Sequence, residues 1–471
     1  MVELLFSLNR DSSIPMYTQV YTYIRSQILA GTIPQNAKLP SIRQLASQLN
    51  VSRNTTQLAY EQLQAEGYIR SEYKRGYYVE TLLTDEIFSY ESHRTHSPAS
   101  LQNAANDVID FKLGTVDEEH FPLKTWRRLA NRVMKESSIY AYGEKQGELS
   151  LREQLAHYLF QSRGVHATAS QIVIGAGTKQ LLLLLSLLLK KDYPSIAMED
   201  PGYDVARTFF EHMSFAVTPI SVTTSGLQID ALRASQEKLL YVTPTHHYPS
   251  GITMSVKQRM QLLHYISNVN GYIIEDDYDS EFRYIHQPIP SLHSMDHNER
   301  VIYMGTCSKA LLPSLRISYL VLPPSLLTAY HAYLAVFEQT ASTIHQETLA
   351  LFMRDGFWYA HLRKMRALYK RKMHTLVAAL TRSFQQDLTM KGEHSGLFVV
   401  IEVKRAIREE LLIEAARQHG VIVYPCSRYY AEKQPLFPQV QLGFGNLSEA
   451  HIEEGVRKLC NAWRPLLESN E

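Results

Sequence analysis

Cysteine, net charge and long apolar runs are all scarce in this sequence of 471 residues. The three cysteines are an odd number without CxxC spacing, which argues against a disulfide framework or a zinc site and is typical of a reducing compartment. They are Cys307, Cys426 and Cys460. The formal net charge is +1, so the molecule as a whole does not attract polyanions, and any contact with nucleic acid must come from a local patch.

No part of the sequence has the length of apolar residues that a membrane span requires. The longest apolar run extends from Leu181 to Leu189 and is interrupted by Ser186, whereas a bilayer span needs about 20 residues. The first residues, MVELLFSLNR, lack the basic-then-apolar order of a signal peptide. We therefore expect a cytoplasmic protein that makes no use of a membrane.

Length and composition predict a globular protein of more than one domain. Hydrophobic residues make up 45% and charged residues 20% of the chain, which is enough for a large core and excludes wholesale disorder. Residues 81–108 hold scattered polar side chains without a sustained period, so we interpret them as a linker. The linker separates a predicted domain over residues 1–80 from a second over residues 109–471.

From about residue 109, short β-type runs alternate with longer helical patterns. The runs are QIVIG, SIAMED, KLLYVTP, GYIIED and RVIYMG. Their alternation with segments long enough for crossover helices predicts an α/β fold with a largely parallel sheet covered on both faces. After about residue 325 the pattern becomes mainly helical, so we expect a large lobe over about 109–325 and a C-terminal lobe over about 326–471.

Residues 12–80 carry the signals of three helices followed by a hairpin. Apolar residues at helical spacing indicate the first helix, namely Tyr17, Val20, Tyr21, Ile24 and Ile28. Ser41 and Gln44 have capping-box spacing for a short second helix, and Ser52 is the N-cap expected for the third. The third helix is predicted to bury Thr56, Ala59, Tyr60 and Leu63. Gly67 ends it, and YIRSEYKRGYYVE then has the pattern of a hairpin.

The third helix and the hairpin tip carry the candidate DNA-binding residues. Arg53, Asn54 and Thr55 are left outside near the helix N-terminus, a position from which side chains enter a major groove. Residues 1–80 contain eight Lys or Arg against six Asp or Glu, but the cations cluster at helix starts and at the tip, where phosphates would lie. The clustered residues are Arg43, Arg53, Lys74 and Arg75, with Gly76 beside them. A three-helix interaction module with solvated arginines is the alternative.

Chemically useful side chains follow two predicted strands of the second domain. The strand VIYMG leads into Thr306, Cys307, Ser308 and Lys309, which sets a lysine among hydroxyl groups where an α/β sheet opens its crevice. Arg316 can bind a phosphate and lower the pKa of that lysine. The strand GYII ends in EDDYDSEF, where the acids need a cation or a donor because buried carboxylates are costly.

Two further motifs complete a set that matches pyridoxal 5'-phosphate (PLP). QIVIGAGTKQLLLLLSLLLK predicts a strand, a turn and a buried helix, so the amides of Gly177 and Thr178 face an anion at the positive helix end. Tyr203 in MEDPGY can stack on a ring. PLP requires a Schiff-base lysine, a carboxylate at its pyridine nitrogen, a hydroxyl at its phenolic oxygen, a phosphate cup and an aromatic cover. The alternatives are a structural lysine, a GAGT turn that only shapes a corner, and a metal site at DDYD.

Both halves resemble known families. LPSIRQLASQLNVSRNTTQLAYEQLQAEGYI resembles the GntR-type winged helix-turn-helix. GAGTKQ, EDPGY, TPTHHYPSG, IIEDDYDSEF and GTCSKALLPSLRISYL resemble the fold type I PLP-dependent aminotransferases. The combination is similar to the MocR family of transcription regulators, and to its GabR-like members in the wording of the motifs. The resemblance covers nearly the whole chain apart from the linker.

The resemblance implies a role for each candidate residue. It implies an internal aldimine at Lys309, Asp276 at the pyridine nitrogen, Tyr278 at the phenolic oxygen and Tyr203 over the ring. It implies phosphate contacts from Gly177, Thr178, Thr306, Ser308 and Arg316, and DNA contacts from Arg43, Arg53 and Asn54 with Arg75 and Gly76 in the wing. It also implies a head-to-tail homodimer that binds a double-stranded operator, with no metal.

The sequence departs from the aminotransferase pattern at the substrate end. Tyr248 stands where aminotransferases have Asn before Pro, and Gln441 stands where they have an arginine for the substrate carboxylate. Arg428 matches the effector-binding arginine of GabR-like regulators, but Val205 replaces the second arginine of members that sense GABA. We therefore expect a regulator, not an enzyme, that responds to an amino compound other than GABA or to PLP. The alternatives are a working aminotransferase with a DNA-binding head, and a dimerisation domain that has lost PLP.

Overall fold

The computed structural model describes residues 6, 8–9, 12, 14–73, 75–81, 108–223, 226–284, 290–334, 337–432 and 434–468. The chain forms two compact units, Met1–Asn103 and Ala104–Glu471. Residues 82–107 of the predicted linker, and Lys74 of the predicted wing, lie outside the described residues. No helix of the described part has both the length and the apolar character needed to cross a membrane.

The N-terminal unit contains the three helices and the hairpin that the sequence predicts. Its elements are α1 (Met16–Leu29), α2 (Ile42–Gln48), α3 (Arg53–Ala65), β1 (Ile69–Glu72) and β2 (Gly76–Val79), with β1 and β2 antiparallel. The capping box is confirmed, because Ser41 Oγ accepts from the Gln44 amide at 3.2 Å and Gln44 Oε1 accepts from the Ser41 amide at 3.0 Å. α3 buries the four residues that its spacing predicts.

The second unit is built on a mixed sheet of eight strands, which confirms the predicted α/β fold. Its helices and strands up to the end of that sheet are β3 (Ile109–Asp110), α4 (Leu123–Val133), α5 (Leu149–Arg163), β4 (Ile172–Gly175), α6 (Thr178–Leu189), β5 (Ser195–Asp200), α7 (Asp204–His212), β6 (Ala216–Thr223), β7 (Gly226–Leu227), α8 (Ile229–Ser235), β8 (Leu239–Val242), α9 (Val256–Asn268), β9 (Tyr272–Asp277), β10 (Val301–Thr306) and β11 (Ser318–Val321). The strand order is β4-β11-β10-β9-β8-β5-β6-β7.

The central strands β10, β9, β8, β5 and β6 are parallel, so their carboxyl ends meet at one edge of the sheet. Alternate residues of each strand enter different cores, because side chains of a strand point to opposite faces. In β9, for example, Ile273 packs with the helix α9 core and Ile274 packs with the helix α6 core. Both faces of the sheet are therefore covered by helices.

The C-terminal part adds a smaller antiparallel sheet packed on long helices. Its elements are α10 (Pro324–Leu334), α11 (Thr343–Arg354), α12 (Phe357–Phe384), β12 (Leu388–Lys391), β13 (Phe398–Val403), α13 (Glu409–Gln418), β14 (Val421–Ile422), β15 (Tyr424–Pro425), β16 (Gln439–Gly443) and α14 (Glu449–Glu468). The order of the sheet is β12-β13-β16-β15, and β14 pairs in parallel with β3. Ile109 and Phe111 consequently pack in the core of this C-terminal part.

Candidate functional site

A cavity of about 360 Å³ lies in the second unit beyond the carboxyl ends of the parallel strands. This is where ligands bind to open α/β sheets. Eight of the nine residues predicted to bind a cofactor line it, namely Thr178, Tyr203, Asp276, Tyr278, Thr306, Ser308, Lys309 and Arg316. The ninth, Gly177, lies directly against Arg316. Residues from four different strand ends thus meet at one place.

Lys309 lies just after β10 with its amino group inside the cavity. Burial lowers the pKa of Lys309, and the carboxylates of Asp279 and Asp276 partly oppose that effect. A lysine with a lowered pKa has more of the neutral, nucleophilic amine. The backbone of Gly114 approaches closely, since a Cβ built there would lie 2.8 Å from Lys309 Nζ. Sequence reasoning missed Gly114, which lies 195 positions away in the chain.

Asp276 is the carboxylate at the end of β9 that faces the cavity. Burial raises the pKa of Asp276 to about 7, although the Tyr241 hydroxyl donates a hydrogen bond to it. The neighbouring acids have other partners: Arg163 Nε lies 2.7 Å from Asp277 Oδ2, and amides after position 291 donate to Glu275 at 2.7 and 2.8 Å. The acids of EDDYD therefore do not converge, and the described residues hold no cluster of three or more metal-binding side chains.

Arg316 and the GAGT turn lie against each other and form a candidate anion-binding corner. Arg316 Nη2 donates to Ala176 O at 3.3 Å, and a Cβ on Gly177 would lie only 2.0 Å from Nη2. Gly177 has φ +96° and is the N-cap of α6, but its amide, which the sequence predicts to face an anion, donates to the Gly175 carbonyl at 2.8 Å. Helix amides and a guanidinium together favour a phosphate group. The Ser308 amide and the Ser318 hydroxyl donate to Thr306 Oγ1 at 3.2 and 2.9 Å, which fixes this side of the corner.

Tyr278 belongs to a buried cluster that includes a histidine. Its hydroxyl lies 3.1 Å from His246 Nδ1, which is 2.8 Å from Asp279 Oδ2. The sequence left open whether His247 replaces the aminotransferase asparagine. His247 instead turns to the Pro201 carbonyl at 3.0 Å, and burial lowers the pKa of His247 to about 4. The histidine next to Tyr278 is therefore the preceding one, which sequence reasoning did not single out.

The far end of the cavity is aromatic. Tyr203 packs edge-on against Tyr248, with ring centroids 5.6 Å apart, and the Tyr248 hydroxyl donates to Tyr429 Oη at 2.8 Å. Gln441 is fully buried behind them, with Oε1 3.4 Å from the Tyr248 hydroxyl. The residues that replace the asparagine and the arginine of aminotransferases thus contact each other. The distance of 193 positions between them hides this pairing from sequence reasoning.

Arg428 is placed at the surface and is not among the residues that line the cavity. Its side chain is 53% exposed, and Nε donates to Asp204 Oδ2 at 2.7 Å. Arg207, four residues after Tyr203, donates to the carbonyls of positions 428 and 429. In this arrangement the Arg428 charge is already paired with a carboxylate.

The candidate DNA-binding residues lie on the exposed side of the N-terminal unit. Arg43, Arg53 and Asn54 are exposed, and Arg75 is 76% exposed with Nη1 3.7 Å from Glu72 Oε2. Thr55 is half-buried and partly engaged elsewhere, because its hydroxyl lies 2.8 Å from Oγ of the N-cap Ser52. Gly76 begins β2 with φ +111°, as the hairpin tip requires. Arg53 and Asn54 are the first two residues of α3.

This fold and this site define a transcription regulator with a winged helix-turn-helix head and an aminotransferase-like domain. The chain belongs to the MocR family of HTH-type transcriptional regulators. Residues 16–79 match the family described as bacterial regulatory proteins, gntR family, and residues 106–459 match aminotransferase class I and II.

Curated relatives match the chain almost end to end. The chain is 42% identical to the HTH-type transcriptional regulator YdeL of Bacillus subtilis over 97% of this chain and 98% of the relative. It is 33% identical to the probable rhizopine catabolism regulatory protein MocR of Rhizobium meliloti over 98% and 96%. Among solved structures, a multiple substrate aminotransferase from Thermococcus profundus has a TM-score of 0.70 at 26% identity over 77% of this chain and 92% of that chain.

The residues present fit PLP, to which the aminotransferase fold and these neighbours also point. Gly177 leaves room beside Arg316 that any side chain would fill. Asp276 is a carboxyl group whose pKa is raised by burial, and a protonated ring nitrogen beside it would favour its charged form. Lys309 has its amine in the same cavity.

Proposed function

We propose that this regulator holds PLP covalently at Lys309 and responds to an amino compound, or to PLP itself, by changing how its heads bind DNA. The observation that carries the proposal is a single cavity lined by Lys309, by the carboxyl group of Asp276 and by Arg316 of the anion-binding corner. The same chain carries a GntR-type head. PLP supplies an aldehyde that condenses with amines. Regulation further requires that the ligand bind one arrangement of the protein better than the other.

Each residue has a proposed part in holding the cofactor. Asp276 binds the protonated ring nitrogen, Tyr278 donates to the phenolic oxygen, and Tyr203 covers the ring. The phosphate group is bound by Arg316 together with Gly177, Thr178, Thr306 and Ser308. Support comes from the way eight of the nine cofactor-binding candidates, Lys309 included, line one cavity and from the close packing of Arg316 on Gly177. Arg428 is the proposed effector-binding arginine, which requires that it exchange Asp204 for the effector.

The same proposal assigns a function to each part of the chain. Residues 1–80 bind a double-stranded operator through Arg43, Arg53, Asn54, Thr55, Arg75 and Gly76. Residues 81–108 connect them to residues 109–471, which bind the ligand and form a head-to-tail homodimer in the cytoplasm. A two-fold dimer presents two heads and reads two half-sites. The GntR match over residues 16–79 supports DNA binding.

The test uses the full chain loaded with PLP. Borohydride reduction followed by peptide mass spectrometry is expected to place the cofactor on Lys309, and Lys309→Ala should abolish both the adduct and the spectral response to a panel of amino compounds. Lys191→Ala, at an exposed position, is the matched control. Arg53→Ala should weaken DNA binding and leave the cofactor absorbance unchanged. The proposal would be refuted if the protein stayed colourless after incubation with PLP and if borohydride reduction left no cofactor attached to it.

The second candidate function is an active aminotransferase with a DNA-binding head. It is favoured by the complete set of Lys309, Asp276 and Arg316 in the cavity. It is opposed by Gln441, a neutral side chain in place of the arginine that binds the substrate carboxylate. A turnover assay with amino donors and 2-oxo acids separates the two functions, because only the enzyme releases a 2-oxo product repeatedly.

A further inference from the structure

Helix α4 of the second unit presents a row of cations to solvent. Lys124, Arg127, Arg128 and Arg132 lie on α4, and Lys135 follows directly after its end. We call these five residues the basic face. All five are exposed. The face belongs neither to the cavity nor to the head, and it stands out on a chain whose formal net charge is only +1.

The basic face has no acidic partners within the described residues, since none of its five cations is in an ion pair. Three exposed arginines on other helices of this unit differ in this respect. Arg417 Nε lies 2.9 Å from Glu414, Arg457 Nη2 lies 2.6 Å from Glu454, and Arg371 Nε lies 3.4 Å from Glu449. Side-chain exposure of these three is 70%, 63% and 62%, so exposure by itself does not explain the unpaired charges of α4.

The arrangement works against the stability of the helix. Lys124 and Arg128, like Arg128 and Arg132, are like charges at i and i+4, which repel. The first turn of α4 holds no acidic residue, and Lys124 there opposes the helix dipole. A bound polyanion would relieve this repulsion.

The opposite side of α4 is committed to the core. Leu129 and Val133 are buried, and the Trp126 ring packs edge-on against Phe352 with centroids 5.8 Å apart. Because its apolar side is already covered, α4 cannot insert that side into a lipid bilayer as an interfacial helix does. The packing also fixes the direction of the cations. The basic face is therefore held in place by the packing of α4, with the Arg128 guanidinium 5.5 Å from the Phe357 ring centroid, and the exposed apolar side chains beside it are Leu123 and Met134 at the two ends of the helix.

The geometry points to duplex DNA as the partner, and we propose that the basic face of α4 binds the DNA backbone outside the segment that the head contacts. From Lys124 to Lys135 a helical path rises about 16 Å, so five cations give roughly one charge per 3 Å. A DNA strand carries one phosphate per about 3.4 Å of helix axis. The three guanidinium groups suit bidentate phosphate contacts. This inference rests on the proposed DNA-binding function.

The test measures salt-dependent binding of a fluorescent mixed-sequence duplex of about 80 base pairs, because phosphate contacts carry no sequence information. The variant Arg127→Gln/Arg128→Gln/Arg132→Gln removes three charges from the basic face. Each lost phosphate contact should reduce the slope of log affinity against log salt by about 0.9, hence by about 2 to 3 in all, with roughly tenfold weaker binding at moderate salt. The cofactor absorbance should not change.

The matched control is Arg371→Gln/Arg417→Gln/Arg457→Gln, which removes the same charge from arginines already paired with glutamates. If the two triple variants show the same slope and affinity, the inference is wrong. It is equally wrong if the basic-face variant instead loses binding to anionic phospholipid vesicles, or changes its oligomeric state in sedimentation. Failure of the proposed function would give a different result. In that case neither Arg53→Gln nor the basic-face variant would change the measured affinity for the DNA duplex.

Discussion

Replacement of Gly177 by alanine tests the anion-binding corner directly. Gly177 has φ +96° and ψ 166°, a region of backbone space that is almost restricted to glycine, so the substitution should destabilise the fold by about 1 to 3 kcal/mol. In addition, the new methyl group would lie 2.0 Å from Arg316 Nη2, so the guanidinium must move. Loss of one charge-assisted hydrogen bond to a phosphate costs about 1.5 to 3 kcal/mol. Cofactor affinity should therefore fall by roughly 10- to 150-fold.

Gly356→Ala is the control that separates the two effects. Gly356 also has a positive φ, +81°, but a Cβ there meets no atom within 4 Å. It should lower the free energy of unfolding while leaving PLP affinity unchanged. Affinity is measured by absorbance titration of cofactor-free protein, and stability by urea unfolding. If Gly177→Ala binds PLP as tightly as Gly356→Ala, then Arg316 does not bind the phosphate as we reason.

Three further predictions follow from the same contacts. Folding raises the pKa of Asp276 from 3.8 to about 7, so this carboxyl group stabilises the cofactor-free protein at low pH, and that stabilisation is lost as the pH rises through about 7. The free energy of unfolding in urea should therefore decline between pH 3.8 and about 7, and Asp276→Asn should make the decline shallower. Gly114→Ala places a methyl group 2.8 Å from Lys309 Nζ and should reduce the fraction of PLP trapped by borohydride, and an unchanged fraction contradicts that contact. Ser52→Ala removes the α3 N-cap and should cost about 1 kcal/mol in thermal unfolding of the head, with the cofactor spectrum as the readout that must stay constant.

Local patterns in the sequence determined the elements and the order of the motifs. The burial of one face of α3 follows from helical spacing, and the caps at Ser41 and Ser52 follow from side chains that reach amides three residues ahead. These features depend on interactions within a few residues, which a sequence displays directly.

The parallel sheet brings the residues of the candidate site together. A parallel sheet brings the carboxyl ends of its strands to one edge, so residues that are far apart in the chain, such as Tyr203 and Lys309, line the same cavity. The sequence predicted this meeting from the fold class alone. It did not predict that β11 would insert antiparallel between β10 and β4, which brings Arg316 against Gly177.

Only the tertiary structure decided which of several similar side chains takes which partner. His246 contacts Tyr278 while His247 turns to a backbone carbonyl, and Asp276 faces the cavity while Asp277 pairs with Arg163. Adjacent residues of like chemistry are equivalent in a motif. They differ in the fold because strand and loop geometry direct them to opposite sides, where the contacting groups come from more than 30 positions away in the chain.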